Sequence, residues 1–545
     1  MAFLVSPGVE VKEIDLTNVV PAVSTSIGGI VGNFRWGPVE KNITVGSEKD
    51  LANQFGKPTT ALYSDYFVAA GFLNYGNNLK VHRKIGASAT NATSNDNSPG
   101  AARRIKNEDD YDNLTFGASP GEAEFYAKYP GALGNSLKVH VLTVGNFATH
   151  AQASQFDSAP ANGEIHIAVE DDTGDITGTA GSILERFTFL DLTSGSTRDD
   201  GSNNYYYDVL NTSSAWIWAG EALSDTNSPT DASDVYTLSG GADGTAATRS
   251  EIAAAYTDAF GDAETVDVNL IIGGEQAAGD ANTIVAVAGG RKDAVAFVSP
   301  LVSDTHPKAT EAAKLTAVES FADNLTTSGT DASFGFADSG AVYVYDKYND
   351  RNVYIAASGH IAGLCANTDR VAEAWFSPAG FNRGALRGVS KLAYNPSQAD
   401  RDTLYKKNIN PIVSFPGQGI VLFGDKTLQA KPSAFDRINV RRLFSTLEKA
   451  VATAAKFQLF ELNDEFTRAQ FRNLVEPFLR DVQGRRGITD FLVVCDETNN
   501  SGEVIDSNRF VADIFIKPAR SINFITLNFI ATRTGVEFSE IVGTN

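Results

Sequence analysis

The chain has 545 residues, of which 42% are hydrophobic and 20% charged, and carries a formal net charge of −21. A chain this long accommodates about three or four domains with large cores. Its acidity argues against a general nucleic-acid binder, which needs a basic footprint, and against docking on anionic lipid. Cys365 and Cys495 are the only cysteines, so a disulfide framework or CxxC metal site is excluded and buried free thiols are expected.

Residues 3–14 read as an extended arm, because Pro7-Gly8 forbids a helix and Val9 and Val11 alternate with charged neighbours. The N-terminus has no basic stretch followed by an apolar run, and no 18-residue apolar window occurs anywhere. Neither a signal peptide nor a membrane span is expected. Residues 22–34 are small and β-branched and predict a buried strand, closed by a turn at Phe34-Arg35-Trp36-Gly37-Pro38. Leu62, Tyr66, Ala70 and Leu73 share one helical face within 61–76, and 79–83 is the next strand.

From about residue 88 to 250 the composition turns to Asn, Ser, Asp, Thr and Gly, with 23 Asp/Glu against 8 Lys/Arg. Short strands are predicted there at 137–144, 165–169, 187–190 and 205–210, the pattern of a β-rich insertion. Helix and strand alternation then returns. Helices are expected at 250–260, 278–290 and 307–325, with strands at 266–272, 294–298 and 342–345. The last region holds two amphipathic helices, 440–457 and 464–482, the second bent at Pro477, and strands at 491–494 and 510–516. Residues 391–545 are nearly neutral, with 18 Asp/Glu and 20 Lys/Arg. An acidic stretch beside a balanced one suggests one solvent-facing and one partner-facing region.

Reactive constellations fail on inspection. Gly117-Ala118-Ser119-Pro120-Gly121 matches a nucleophile elbow, but Pro120 has no amide to serve an oxyanion hole. Gly417-Gln418-Gly419 lacks the third glycine of a dinucleotide fingerprint and reads as a strand or turn. No phosphate-binding GxxxxGK[ST] occurs. The six histidines, His82, His140, His150, His166, His306 and His360, form no metal pair and read as structural residues with satisfied polar atoms. The acidic run 171–175 lacks the spacing of a calcium loop and reads as a solvated turn. No catalytic residue, metal or cofactor is expected. What remains is interaction chemistry. Residues 521–532 carry no charge and no proline. Such a segment is either a central strand of its own domain or a strand added to another chain.

Three ordered blocks resemble the contractile-tail sheath protein family. The first is Ser6-Pro7-Gly8-Val9-Glu10-Val11-Lys12-Glu13, continued by Ser26-Ile27-Gly28-Gly29-Ile30-Val31-Gly32 and the Phe34–Pro38 turn. The second runs from Ser358-Gly359-His360-Ile361-Ala362-Gly363 through Asp369 to Ser377-Pro378-Ala379-Gly380, with Ser358 where the family often has proline. The third runs from Asn410-Pro411-Ile412 through Gly424 to Asn439-Val440-Arg441-Arg442-Leu443. The resemblance covers about 1–87 and 250–545.

It implies an α/β and α+β multidomain chain. A middle α/β domain, subtilisin-like, would comprise 21–87 and 250–390, interrupted by an outward-facing β-rich insertion at 88–249. A C-terminal α+β domain, 391–520, would face the tail tube. Arms at 1–20 and 521–545 would be exchanged with neighbouring subunits through Val9, Val11, Ile522, Phe524, Ile525, Leu527 and Phe529. Arg441, Arg442, Arg485 and Arg486 are candidates for facing the tube, with an intrachain ion pair or a solvated helix face as the alternative. The implied partners are further copies in stacked hexameric rings, the tail tube, the baseplate and the tail terminator, with no nucleic acid and no membrane. The implied place is the virion, after synthesis in the host cytoplasm. The sheath of a secretion system or a phage-tail-like bacteriocin is the alternative machine.

Overall fold

The computed structural model describes residues 23–94, 103–114, 123–220, 223, 235–325, 331–523 and 525–527. Val9, Val11, Phe524, Phe529 and the Gly117–Gly121 motif lie outside the described residues.

The backbone of the molecule is a seven-stranded sheet. Its strands are β1 (Gly28–Asn33), β2 (Asn42–Val45), β3 (Leu79–Lys84), β4 (Leu270–Glu275), β5 (Val295–Ser299), β6 (Gly335–Asp338) and β7 (Ile409–Asn410). They lie in the order β7-β6-β5-β4-β1-β3-β2, all parallel except β2, which runs antiparallel to β3. Alternate residues feed two different cores, as the two-residue period of a strand requires. Ile30, Leu270, Ile272, Val295, Phe297 and Phe336 enter one core. Val31, Ile271, Ala296, Val298 and Ala337 enter the other. Helices cover both faces, so the strands are apolar on both sides.

Over the first face lie α1 (Ser64–Leu73) and α2 (Ser358–Val371). Leu62, Tyr66, Ala70 and Leu73 were expected to form the single apolar face of α1. Instead Asp65 through Phe72 are all buried, because sheet and α2 enclose the helix. The two glycine-rich motifs are explained by this stacking. A Cβ on Gly28 would come within 2.8 Å of the Phe72 ring, and one on Gly359 within 2.0 Å of the Val68 carbonyl oxygen. Helices Arg249–Phe260, Ala278–Arg291 and Glu311–Asn324 cover the second face. Helix α3 (Gln398–Lys406) leads into strand β7, which lies within the stretch expected to start the C-terminal unit, so the central sheet extends past residue 390.

The insertion holds its own four-stranded antiparallel sheet. Its order is Ser182–Asp191, Glu164–Asp171, Leu137–Thr143 and Val235–Thr237. Chain entry and exit run side by side, with Thr93 bridged to Ser239 and Thr90 to Ala242. Trp36, from the turn after β1, is buried in the insertion's core and stacks on Trp216 at 5.5 Å. Arg83 of β3 is fully buried beneath it and donates to the carbonyls of Phe34, Arg35, Gly37 and Pro130. One sequence expectation fails in this region. Residues 205–210 form the start of a helix, Tyr206–Ser213, rather than a strand. Tyr206 and Leu210, one turn apart, are the buried pair, and the Asn203 side chain links the Tyr205 amide to the Asp208 carboxylate.

The 171–175 turn is solvated at Thr173 and Asp175, as expected, but its first residue is not. Asp171 is fully buried and accepts hydrogen bonds from Ser136 Oγ, the amides of Gly174, Ile176 and Thr177, and Thr177 Oγ1. Burial raises its pKa, but these donors outweigh it and hold the carboxyl below its ordinary value. Gly417 and Gly419, at φ 76° and 77°, turn the hairpin between Ile412–Phe415 and Gly419–Leu422.

The C-terminal part packs helix α4 (Ile438–Ala455) against helix α5 (Glu465–Gly484) and a two-stranded antiparallel ladder, β8 (Ile488–Val494) with β9 (Asp513–Pro518). Helix α5 keeps Pro477 in its interior. Its start is capped by Asp464, which accepts from the Thr467 amide.

Candidate interaction site at the roots of the terminal arms

The described chain begins at Val23, which packs on Ala450, Ala454 and Leu474 of α4 and α5. Two residues on, Thr25 Oγ1 donates to Asp369 Oδ2 at 2.7 Å. Asp369, near the end of α2, also receives Arg442 Nη2 at 2.8 and 2.6 Å, one bond to each carboxylate oxygen. Arg442 in turn reaches the Thr25 carbonyl at 3.3 Å and the Ala374 carbonyl at 3.4 Å. Both charged side chains are buried, at 4% and 9% exposure. Burial disfavours the guanidinium charge, but Asp369 beside it more than compensates and raises the Arg442 pKa. This is a clamp on the exit point of the N-terminal segment.

The C-terminal segment leaves through a second clamp. Asp425, itself buried, accepts from Ser521 Oγ at 2.8 Å and from Asn523 Nδ2 at 2.9 Å. It also accepts from Ser377 Oγ and Tyr405 Oη, both at 3.2 Å. Arg437 lies 3.6 Å away. Burial first, and then the Asp425 charge, pushes the Tyr405 hydroxyl up to about 12. Around this root opens a cleft of about 1200 Å³, lined by Trp375, Arg383, Arg401, Arg486, Arg520 and Ile522 among others.

Beyond the root, Ile522, Ile525 and Leu527 are 82%, 76% and 71% exposed. None of the described residues from Ser521 onward belongs to a strand, and 528–532, like Phe524, lie outside the described residues. Ladder β8–β9 pairs with no third strand among the described residues. Its cross-strand pair Leu492–Phe515 stands 58% exposed on both sides. Sequence reasoning missed the exposed outer face of this ladder. The available signal was Phe515, which alternates out of phase with Ile514 and Ile516.

The four arginine candidates separate. For Arg441 and Arg442, named as tube-facing candidates with an intrachain ion pair as the alternative, the structure shows the ion pair. Both are buried, because α4 is sandwiched rather than solvated. Arg441 pairs with Glu448 at 3.2 Å and lies over the rings of Phe334 and Phe435, at 4.3 and 4.6 Å. Arg485 and Arg486 are exposed. Arg485 bonds Glu373 at 3.2 Å and Asp481 at 3.1 Å. Its carbonyl accepts from Trp375 Nε1, which places the basic loop beside the C-terminal root.

Reactive chemistry is not assembled nearby. Cys365 and Cys495 are buried and free. Burial, the largest effect on each, pushes both thiols up, Cys365 to about 12. No cluster of three or more His, Cys, Asp or Glu able to hold a metal occurs among the described residues. No described helix is long and apolar enough to cross a membrane. His360 differs from the expected satisfied histidine. It is buried and neither ring nitrogen has a hydrogen-bond partner among the described residues.

Residues 250–428 match the phage tail sheath protein central domain and residues 430–532 the phage tail sheath C-terminal domain. The tail sheath protein of Vibrio phage KVP40 is 33% identical over 684 residues, covering 99% of this chain and all of that one. Among solved structures, a sheath tail protein of Listeria innocua aligns with a TM-score of 0.56 at 11% identity, covering 91% of this chain and 96% of that one. The sheath of an extracellular contractile injection system in its contracted state aligns at 0.52 and 14%, covering 98% and 99%. At such identities these two show the fold alone. The length and identity of the match to the KVP40 protein carry further: this chain belongs to the phage tail sheath protein family.

Proposed function

We propose that the chain is the repeating subunit of a contractile phage tail sheath. It polymerises as stacked hexameric rings around a tail tube and contracts to drive that tube through the host envelope. The observation that carries this reading beyond family membership is the pair of clamped roots. Each holds the point where a segment leaves, and the described part of the C-terminal segment is uncharged, with Ile522, Ile525 and Leu527 exposed. A single soluble subunit gains nothing from three bare aliphatic side chains. A polymer that exchanges arms does, and ladder β8–β9 supplies free edges for strand addition.

In this reading 1–20 and 521–545 are the exchanged arms, and residues 88–249 project outward. Residues 391–520 face the tube, with Arg485 and Arg486 as the cations that reach it. The mostly parallel sheet with helices on both faces supports a subtilisin-like middle domain without its chemistry. The baseplate and tail terminator cap the polymer, which is a virion component made in the host cytoplasm. Contraction draws its energy from new subunit contacts. Burying about 500 Å² more apolar surface per subunit is worth at most ~12 kcal/mol. Deletion of 1–14 tests the reading: a folded monomer that forms no cross-striated tubes in negative stain is expected, and normal tubes would defeat it.

A further inference from the structure

Between α4 and α5 the chain crosses an apolar crest. Phe457, Leu459, Phe460, Leu462 and Phe466 are 74%, 63%, 105%, 77% and 75% exposed. Side chains of this size present on the order of 600 Å² of apolar surface, at the upper limit of what a monomer leaves bare. Phe460, at the tip, sits at φ 70°, a left-handed conformation that a bulky residue adopts only against strain. The crest is fixed rather than frayed. Asn463 Nδ2 donates to the Arg509 carbonyl at 2.8 Å, Asp464 caps α5, and Phe510 packs edge-on against Phe471. These contacts seat the crest at the end of ladder β8–β9 where β9 begins.

We infer that the crest is the seat for the C-terminal segment, residues 521–532, of a second copy of this chain. The inference rests on the arm-exchange reading and names the acceptor. The described residues of the same copy's segment do not cover the crest: Ile525, Leu527 and all five crest side chains are exposed together. Charge selects between the two arms. The crest carries Glu461, Asp464 and Glu465 against Lys456, and the N-terminal segment carries Glu10, Glu13 and Asp15 against Lys12. Like charges there repel. Residues 521–532 contain no charge and lose nothing beside the acids. A segment adding to the ladder by backbone pairing runs onto the crest, which then supplies the side-chain contacts that strand addition needs for specificity.

Two experiments on the full-length chain test this. Sheaths assembled from a mixture of Ile525→Cys and Phe460→Cys chains, treated with a short bis-maleimide, are expected to give a covalent heterodimer that unassembled chains do not. A parallel mixture of Ile525→Cys with Leu492→Cys reports arm exchange itself. Cross-linking to Leu492→Cys but not to Phe460→Cys overturns the crest and leaves arm exchange standing. Cross-linking to neither removes both. Joining of Phe460→Cys to Val9→Cys, or to the tube protein, overturns the assignment of the occupant. Separately, Phe460→Ser is expected to raise the critical concentration for polymerisation roughly tenfold or more with the monomer's melting temperature undiminished. An unchanged critical concentration overturns the proposal.

Discussion

Removing Asp369 should cost far more than removing a surface carboxylate, because it strands a buried cation. In the native chain Arg442 Nη2 bonds both oxygens of Asp369, at 2.8 and 2.6 Å, with 4% of the arginine side chain exposed. Asp369→Ala leaves that guanidinium two long contacts to carbonyls, at 3.3 and 3.4 Å, and also removes the acceptor for Thr25 Oγ1. Breaking one side of a buried pair costs about 3–5 kcal/mol. Replacing both sides, as in Asp369→Leu with Arg442→Met, should recover most of that loss, since an apolar pair needs no solvation. The assay is urea unfolding of the monomer, below the concentration at which it polymerises, for both single variants and the double. The coupling between the two substitutions is expected to exceed about 2 kcal/mol. A midpoint for Asp369→Ala equal to the parent's, or a double variant whose loss equals the sum of the singles, would refute the clamp and return Arg442 to the pool of free cations.

Three further outcomes follow from the same structure. Burial alone pushes His360 down to about 4, and burial is also the main reason His82 falls to about 4. Each is held neutral in the folded chain while its unfolded counterpart takes up a proton from about 6.5 downward. Stability is therefore full above about 6.5 and falls as pH drops toward 4, by up to about 3 kcal/mol for each histidine. His360→Leu should flatten that slope in unfolding measured from pH 7 to 4.5, and an unchanged slope would count against the assignment. Gly359→Ala would place a methyl against the Val68 carbonyl oxygen and should cost about 3 kcal/mol or more by overpacking; a melting temperature within a degree of the parent's would contradict that packing. The Arg485→Glu, Arg486→Glu double variant should weaken loading onto tubes at low salt by roughly tenfold and less at high salt. Salt-independent loading equal to the parent's would remove both from the tube face.

Much of the secondary structure was legible because its signals are local. The apolar runs within 266–272 and 294–298 and the helical spacing in 440–482 require no partner to be read. The failures have a common physical origin. Tyr205–Leu210 looked like a strand because aromatic and β-branched residues favour strands, yet burial of Tyr206 and Leu210 on one turn decided for a helix. Arg441 and Arg442 looked solvated because their helix also has an apolar face, but α2 and the Phe334–Phe435 pair enclose the other side. Burial on two faces is a tertiary fact, absent from one helix's periodicity. Asp369 and Asp425 were invisible as clamps for the same reason. Their partners lie 344 and 96 residues away, at Thr25 and Ser521, and no window of sequence contains both. The uncharged run 521–532, by contrast, could be singled out from composition, and the exposure of Ile522, Ile525 and Leu527 is what the proposed arm rests on.

The placement of charge follows from what contraction demands of a tethered polymer. On the arm exchange proposed above, subunits change neighbours' contacts without letting go, so the strongest bonds belong inside each subunit, at the points where the tethers leave. The Asp369–Arg442 root meets that requirement, since breaking one side of a buried pair costs about 3–5 kcal/mol, and at the second root buried Asp425 holds Ser521 and Asn523 by hydrogen bonds. The tethers themselves need the opposite property. A charged arm would have to find its counter-ion again at every new angle, whereas an apolar, uncharged one keeps nearly all its burial energy as it pivots, because the hydrophobic effect is not directional. An energy release of up to about 12 kcal/mol per subunit, spread over many small contacts, then moves the bodies while leaving each root intact. Reversing this arrangement, with charged arms on apolar roots, would concentrate the strain at the exit points, and the subunit would unravel there before the ring had moved.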